Sequence, residues 1–331
     1  MVEKTIGPKI IVITPVKDED WILDRFLWAC SHFADHIVLL NQGSTDRTLE
    51  IIDDYDEAVC YENPSPKYDE AYRTEFLVGK VRELYGEGNL IVALDADEIP
   101  TFPSLDRRLW GTLRKLEPGT TVWFAKPDLL SQPMRYLPCN TSFPLAYVDD
   151  GAETQKKRIH NRRIPGNADG PVYVCQSIIV LHFARIREFE YRARQAMYSV
   201  VENINRTKSW YKRVLYYSPQ AHLSIARKKS KVVPRDWAEG YFERGIDFYG
   251  FRTQRFNSFH RKVLGYFEQY GSQKFFWDDI WDIDWELLQG ISEEVSALKP
   301  SLPVPNIPTN FLRKYLVKTL FLLSRLRMRV R

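Results

Sequence analysis

Apolar residues along this chain fall into short, nearly continuous runs separated by longer stretches of helical periodicity. Residues 10–14 (Ile-Ile-Val-Ile-Thr) form an apolar, β-branched run that predicts a buried strand, ended by Pro15. Trp21, Ile22, Arg25, Phe26 and Ala29 then recur at helical spacing. A second strand is predicted over 36–40. The turn Gly43-Ser44-Thr45-Asp46 caps a helix carrying Leu49, Ile52 and Asp53. A third strand follows at 58–61, a helix over about 70–85, and a fourth strand at 90–94 that runs into Asp95-Ala96-Asp97-Glu98.

Strand and helix alternate at about 25–30 residues per unit, the pattern of a doubly wound, mostly parallel sheet with helices on both faces. Strands covered on both faces read as uniformly apolar, as these do. Beyond a further strand at 121–126, residues 127–170 are rich in Pro, Gly, Asn and Asp and read as long loops. Residues 172–183 return to a strand pattern ending in His182-Phe183, and a helix is expected over 186–208. The predicted organisation is a catalytic α/β domain over 1–185, a helical acceptor-side or packing region over 186–299, a Pro-rich linker over 300–308 and a basic amphipathic helix over 309–331.

In such sheets ligands sit beyond the carboxyl ends of the strands. Three polar clusters follow strand ends here: Pro15-Val16-Lys17-Asp18-Glu19, Asn41 to Asp46, and Asp95 to Glu98. Two carboxylates at i and i+2 can reach a divalent cation shared with phosphate oxygens, since hard cations favour oxygen ligands. The plain alternative for each cluster is a helix-capping turn with solvated acids.

Together the three strings resemble the family-2 glycosyltransferases of the GT-A fold. That family carries a Pro-x-Lys/Arg-Asn-Glu stretch after the first strand, an Asp-Gly-Ser-x-Asp-x-Thr stretch after the second, and a later Asp-x-Asp. The likeness spans roughly residues 9–126 and weakens towards 185. Asp18 stands where the family has Asn, and Asn41 where an acid faces the nucleotide.

The resemblance implies an inverting, metal-dependent glycosyltransferase, a hexosyltransferase, that moves a sugar from a nucleotide-diphosphate donor to a glycan, lipid-linked or surface-polymer acceptor. It implies that Pro15, Lys17, Glu19 and Asp46 line the nucleotide pocket. Asp95 would contact ribose or metal, Asp97 would bind Mn²⁺ or Mg²⁺, and His182 would join the metal shell. The family's general base lies in a later Glu-Asp pair, whose nearest equivalent here is Asp149-Asp150. Lys157 and Arg158 are candidate cations for the diphosphate.

Two other classes compete. Phosphatases of the haloacid dehalogenase type also use Asp-x-Asp after a strand, but on the first strand; here the motif follows the fourth and precedes Glu98-Ile99. A non-catalytic, membrane-associated module with a sugar-nucleotide pocket is the other.

Charge and cysteines narrow the setting. The net charge of +4 is concentrated in the tail: residues 309–331 hold seven Lys and Arg and no acid, and removing these leaves 40 basic against 43 acidic residues. A near-neutral body argues against nucleic acid as a partner. In the tail, Leu312, Tyr315, Leu316, Leu320, Leu323, Leu326 and Val330 share one helical face, and Lys314, Lys318, Arg325 and Arg329 the other. That is an interfacial pattern. Cys30, Cys60, Cys139 and Cys175 lie far apart without metal-type spacing, and residues 1–9 lack an apolar leader core. Reduced thiols imply a cytoplasmic protein, peripheral on the inner face of the membrane through its tail.

Overall fold

The computed structural model describes residues 7–63, 69–154, 162–166, 170–251 and 256–295, together with 315, 316, 319 and 320. In chain order the elements are β1 (Ile10–Val16), α1 (Leu23–Ser31), β2 (His36–Asn41), α2 (Thr48–Ile52), β3 (Ala58–Glu62), α3 (Glu70–Tyr85), β4 (Leu90–Ala93) and β5 (Glu98–Pro100). A 3₁₀ turn (Phe102–Leu105) leads to α4 (Arg107–Leu113), β6 (Thr121–Ala125), β7 (Asp128–Leu130), β8 (Arg135–Leu137), β9 (Ser142–Val148) and β10 (Val172–Arg185). There follow α5 (Glu188–Asn205), α6 (Trp210–Tyr217), α7 (Pro219–Lys229), β11 (Lys231–Val232), α8 (Arg235–Phe242), α9 (Ser258–Tyr270), a second 3₁₀ turn (Ser272–Phe275) and α10 (Trp285–Val295).

The chain divides into two compact units, one of 1–184 with 231–251, the other of 185–230 with 252–331. The first has an α/β architecture around one mixed sheet. Its sheet runs β11-β8-β7-β10-β6-β9-β4-β1-β2-β3, with β5 against β10. The order β3-β2-β1-β4 is parallel throughout, with β1 central and α1, α2 and α3 as crossovers. The buried Ile10–Ile13, Ile37–Leu40 and Leu90–Ala93 explain why these strands carry no polar alternation. Beyond β4 the sheet becomes mixed, because β9 enters antiparallel between β4 and β6.

Two expectations change. Pro15 does not end the first strand, which pairs with β2 through Pro15↔Leu40 and Val16↔Asn41. On the other side β1 pairs with β4 only as far as Ile13, so a missing N–H at 15 costs no ladder bond there. The stretch 127–170 is not all loop: β7, β8 and β9 lie within it. Three-residue strands are too short to show a period of two, and β9 carries Pro144 at a register irregularity opposite Trp123.

After the second unit's first helices, β11 extends the first unit's sheet and α8 packs on its 3₁₀ turn. Gly240 permits this approach, since a Cβ there would lie 2.3 Å from the Phe102 ring. Tyr241 donates its hydroxyl to the Pro100 carbonyl at 2.7 Å.

The second unit is helical. Ala196, Met197 and Val200 of α5 pack with Val263, Leu264 and Phe267 of α9 and with Phe275, Ile280, Trp285 and Leu288. Within this core the carboxylate of Asp278 accepts from Ser199, Asn203 and Arg213 at 2.6–2.8 Å, so a buried acid is fully partnered.

His260 is fully buried on α9, and burial pushes its pKa down to about 4. Its Nδ1 accepts from the Asn257 N–H at 3.3 Å in a capping box, so a second proton would oppose that donor. The unfolded chain takes up the proton near pH 6.5, whereas the folded one resists it down to about pH 4. Stability from the neutral ring is therefore complete above pH 6.5 and declines as pH falls between these values, by about 3 kcal/mol in all. Urea denaturation of the wild type and His260→Leu across this window should show that slope only in the wild type. Parallel curves would contradict it.

The linker over 300–308 and Lys157-Arg158 lie outside the described residues, as does the tail apart from 315, 316, 319 and 320, which are helical. Among the described residues no helix is long and apolar enough to cross a membrane. All four cysteines are free thiols.

Candidate functional site

Because β1, β2 and β4 are parallel, their carboxyl ends form one rim. The register pairs Val16 with Asn41 and Ile13 with Ala93, so Lys17–Glu19, Gln42–Asp46 and Asp95–Asp97 emerge side by side.

The first two segments are bound tightly to each other. Lys17 Nζ donates to the carbonyls of Gln42 and Gly43 at 2.9 and 3.1 Å. Asp18, at φ 54°, donates its N–H to Ser44 Oγ and accepts from the Thr45 N–H at 2.7 Å. Glu19 N–H donates to Thr48 Oγ1 at 2.8 Å. Asp46 accepts from the N–H groups of Asp20 and Thr48, both at 3.0 Å. Burial alone would raise the Asp46 carboxyl, but these hydrogen bonds outweigh it and hold it below its ordinary value. Asn41 turns its amide to Glu62 and accepts from Ser44 N–H and Oγ. The departures from the family strings are thus used internally: Asp18 and Asn41 bind loop to loop and strand to strand.

The Asp-x-Asp segment is held from below. Glu98 is fully buried, and each of its oxygens is doubly engaged. Oε1 accepts from Lys126 Nζ (2.6 Å) and Arg163 Nη2 (2.9 Å), while Oε2 accepts from Arg163 Nη1 (2.8 Å) and the Asp95 N–H (3.0 Å). Burial opposes the charge, but the two cations prevail and hold the Glu98 carboxyl well below the carboxylate range. Arg163 also reaches Asp95 Oδ1 at 3.0 Å. Desolvation raises the Asp95 carboxyl; Arg163 opposes that, while Glu98 and Asp97 reinforce it, and the net direction is upward.

His182 reaches this point through strand pairing. β10 runs antiparallel to β5, with His182 opposite Glu98, and the Phe183 N–H donates to the Asp97 carbonyl at 2.8 Å. His182 Nδ1 lies 2.6 Å from Asp128 Oδ1, and a carboxylate there fixes the ring proton on Nδ1. Nε2 then presents its lone pair 3.7 Å from Asp97 Oδ2, too long for a hydrogen bond. A carboxylate oxygen and an imidazole nitrogen at that separation, with the imidazole oriented by a second carboxylate, fit two ligands of one divalent cation. Among the described residues no group of three or more His, Cys, Asp or Glu is arranged to hold a metal. A pair suits a cation that takes its other oxygens from a phosphate and water.

The comparisons with known proteins are distant. No protein-family model matches the sequence, and no curated protein is similar to it. Among solved structures, glucosyl-3-phosphoglycerate synthase from Mycobacterium tuberculosis, in complex with Mn²⁺, uridine diphosphate and glucosyl-3-phosphoglycerate, is 18% identical over 37% of this chain and 45% of that one, with a TM-score of 0.27. A 4-diphosphocytidyl-2C-methyl-D-erythritol synthase is 13% identical over 43% of this chain and 75% of that one, at 0.28. HddC from Yersinia pseudotuberculosis is 6% identical over 53% and 93%, at 0.33. The chain spans 42% and 45% of the first two structures it resembles. Likenesses this remote carry no argument about chemistry, which rests on the rim itself.

Asp149 and Asp150 are not on that rim. Val148 pairs with Leu90 at the start of β4, so the two acids lie beyond the opposite, amino-terminal end of β4. With β4 and its flanks between, they are roughly 20 Å from Asp95 at about 3.3 Å per residue. Asp149 is buried and doubly bonded by Arg82 at 2.7 and 3.0 Å, and Asp150 accepts from the Tyr147 hydroxyl. These are structural partnerships, and they remove the pair from the position a base would need.

Sequence reasoning missed Lys126, Asp128 and Arg163, and it quoted Glu98 without a role. The usable signal was Glu98 itself, since an acid shortly after a buried strand and immediately before the apolar Ile99-Pro100 needs cations.

Proposed function

We propose that the first unit is a nucleotide-diphospho-sugar-dependent glycosyltransferase, inverting and dependent on Mn²⁺ or Mg²⁺. The single observation that supports this reading is Asp97 Oδ2 facing His182 Nε2 at 3.7 Å on the rim formed by the ends of β1, β2 and β4. In this reading Asp97 and His182 hold the cation, and Asp128 keeps the imidazole in the ligating tautomer. The cation, when bound, neutralises the departing diphosphate, a contribution of several kcal/mol. The laced loops around Pro15, Lys17, Glu19 and Asp46 form the floor for base and ribose. Asp95, steadied by Arg163, takes the ribose side, and Arg163 adds positive charge beside the phosphates. The transferred group is a hexose, and the acceptor a glycan, lipid-linked or surface-polymer hydroxyl. The protein works in the cytoplasm, peripheral on the inner face of the membrane through its tail.

Thermal-shift measurements against a panel of nucleotide diphosphates and nucleotide sugars, with and without Mn²⁺, test the reading. A ligand at about a hundred times its Kd stabilises the folded state by about 2.7 kcal/mol. A rise in Tm that requires both nucleotide and metal is expected, followed by release of nucleoside diphosphate from one donor. No shift with any nucleotide, metal present or absent, would overturn it. Binding without turnover for every donor would favour the non-catalytic module.

A further inference from the structure

Within the first unit, the turn after β1 and the last stretch of the unit, Asp247 to Phe251, are joined into one wall beside the rim. Arg25 of α1 ties them together. Its Nη1 donates to the Trp21 carbonyl at 3.0 Å and its Nε to the Asp247 carbonyl at 2.7 Å. The Arg25 guanidinium lies over the Phe251 ring at 4.7 Å, and Phe251 meets Trp21 edge to face with ring centroids 4.9 Å apart. Phe248 and Phe251 also pack on Phe183, at 5.1 and 6.3 Å between centroids, and Phe183 follows His182 on β10. Trp21 is thus fixed by a nearby arginine and by a segment from the far end of the unit.

The side chain of Trp21 has one polar group, the indole N–H, and it donates to Glu19 Oε2 at 2.8 Å. The main chain of Glu19 is pinned separately. Its N–H donates to Thr48 Oγ1 at 2.8 Å, and its carbonyl accepts from the N–H groups of Ile22 and Leu23. Its carboxylate does not cap the helix, since α1 begins at Leu23 without a side-chain capping bond. Asp18 and Asp46 accept from main-chain N–H groups that fold the two loops. Glu19 is partly exposed on the same rim, just past the carboxyl end of β1. Ordering a glutamate side chain on binding costs roughly tenfold in affinity, and a partner that orders it beforehand removes that cost.

We propose, resting on the nucleotide reading of the rim, that Trp21 is a positioning residue: backed by Phe251 and Arg25, it presents the Glu19 carboxylate as a pre-set acceptor for an N–H of the donor's base. A carboxylate only accepts, so its partner carries a hydrogen, and it repels the anionic diphosphate. Glu19 is stitched through Thr48 to the loop after β2, whereas Asp95, which takes the ribose, ends β4 on the other side of β1. That separation gives Glu19 the base.

Binding titrations of the full chain with Mn²⁺ present, using pyrophosphate and whichever of ADP, CDP, GDP and UDP binds tightest, separate the two halves of the ligand. Trp21→Phe keeps a ring against Phe251 and removes the N–H. It should weaken the nucleoside diphosphate roughly tenfold, with pyrophosphate binding and Tm unchanged. In Glu19→Ala the same change should cost nothing further, because the carboxylate that Trp21 orients is gone. The loss should be as large for the 2′-deoxy nucleotide; a loss that disappears there would move the contact to the ribose and overturn the assignment to the base. Equal weakening of pyrophosphate and nucleotide would make Trp21 a packing residue only, and an additive loss in Glu19→Ala would uncouple the two side chains; either overturns the proposal. A wild type that binds no nucleotide overturns the nucleotide reading beneath it, whereas nucleotide bound equally by wild type and Trp21→Phe overturns the role of Trp21 alone.

Discussion

Asp97→Asn should reduce metal-dependent turnover by about 10³-fold or more while leaving Tm within a degree or two of wild type. The size follows from removing charge stabilisation of a leaving group, for which single preorganised contacts account for about 10²–10³ and a cation for more. The unchanged Tm follows from position. Asp97 is partly exposed on the rim, and Asn keeps its shape, whereas the segment is fixed by main-chain bonds from Phe183 N–H to the Asp97 carbonyl and from Glu98 N–H to that of Asp95. Nucleotide should also lose its Mn²⁺-dependent stabilisation. Turnover assays over a Mn²⁺ titration, beside calorimetry of the variant, check both. Wild-type turnover in Asp97→Asn would take the cation away from this residue.

Glu98→Ala should be the most destabilising single change at the site, at about 3–5 kcal/mol, because it strands Lys126 and Arg163 without their common anion in a buried position. Glu98 is fully buried and accepts four hydrogen bonds, so truncation removes partners from three residues at once. Glu98→Gln keeps the shape but not the charge and should cost less. Chemical denaturation of both variants gives the comparison. The linked pH behaviour has a definite sign. A carboxyl held below its unfolded value contributes stability above that unfolded value and loses it as pH falls towards the folded one. Wild type should therefore weaken on acidification below about pH 4.5 more steeply than Glu98→Gln. Equal stability of wild type and Glu98→Ala would mean that the two cations find water or another anion.

The two outcomes separate roles that adjacent residues share in the string Asp95-Ala96-Asp97-Glu98. Asp97 lies partly exposed in the turn that the Glu98 N–H closes on the Asp95 carbonyl, whereas Glu98 opens β5 with its side chain buried. Asp95 stands between these roles, bonded through its N–H to Glu98 and through its carboxylate to Arg163.

The sequence by itself determined the parallel core and its rim. Uniformly apolar runs at 10–13, 37–40 and 90–93 have no stable place except a sheet covered on both faces, and parallel strands put their carboxyl ends on one side. That sufficed to bring Lys17, Asp46, Asp95 and Asp97 into one neighbourhood. Local patterning could not reveal what meets across long separations. His182 reaches Asp97 only because β10 pairs with β5 eighty residues earlier in the chain, and Asp128 holds its ring from a strand too short to show a period. Arg163 sits in a stretch without regular pattern and finds Glu98 only in three dimensions. The same blindness misassigned Asp149-Asp150, whose acidic pairing matched a motif while an antiparallel strand carried it to the opposite end of β4. Periodicity reports which face of an element is buried. Which side chains then converge is settled by strand order and direction, and those depend on contacts between residues that no local window contains.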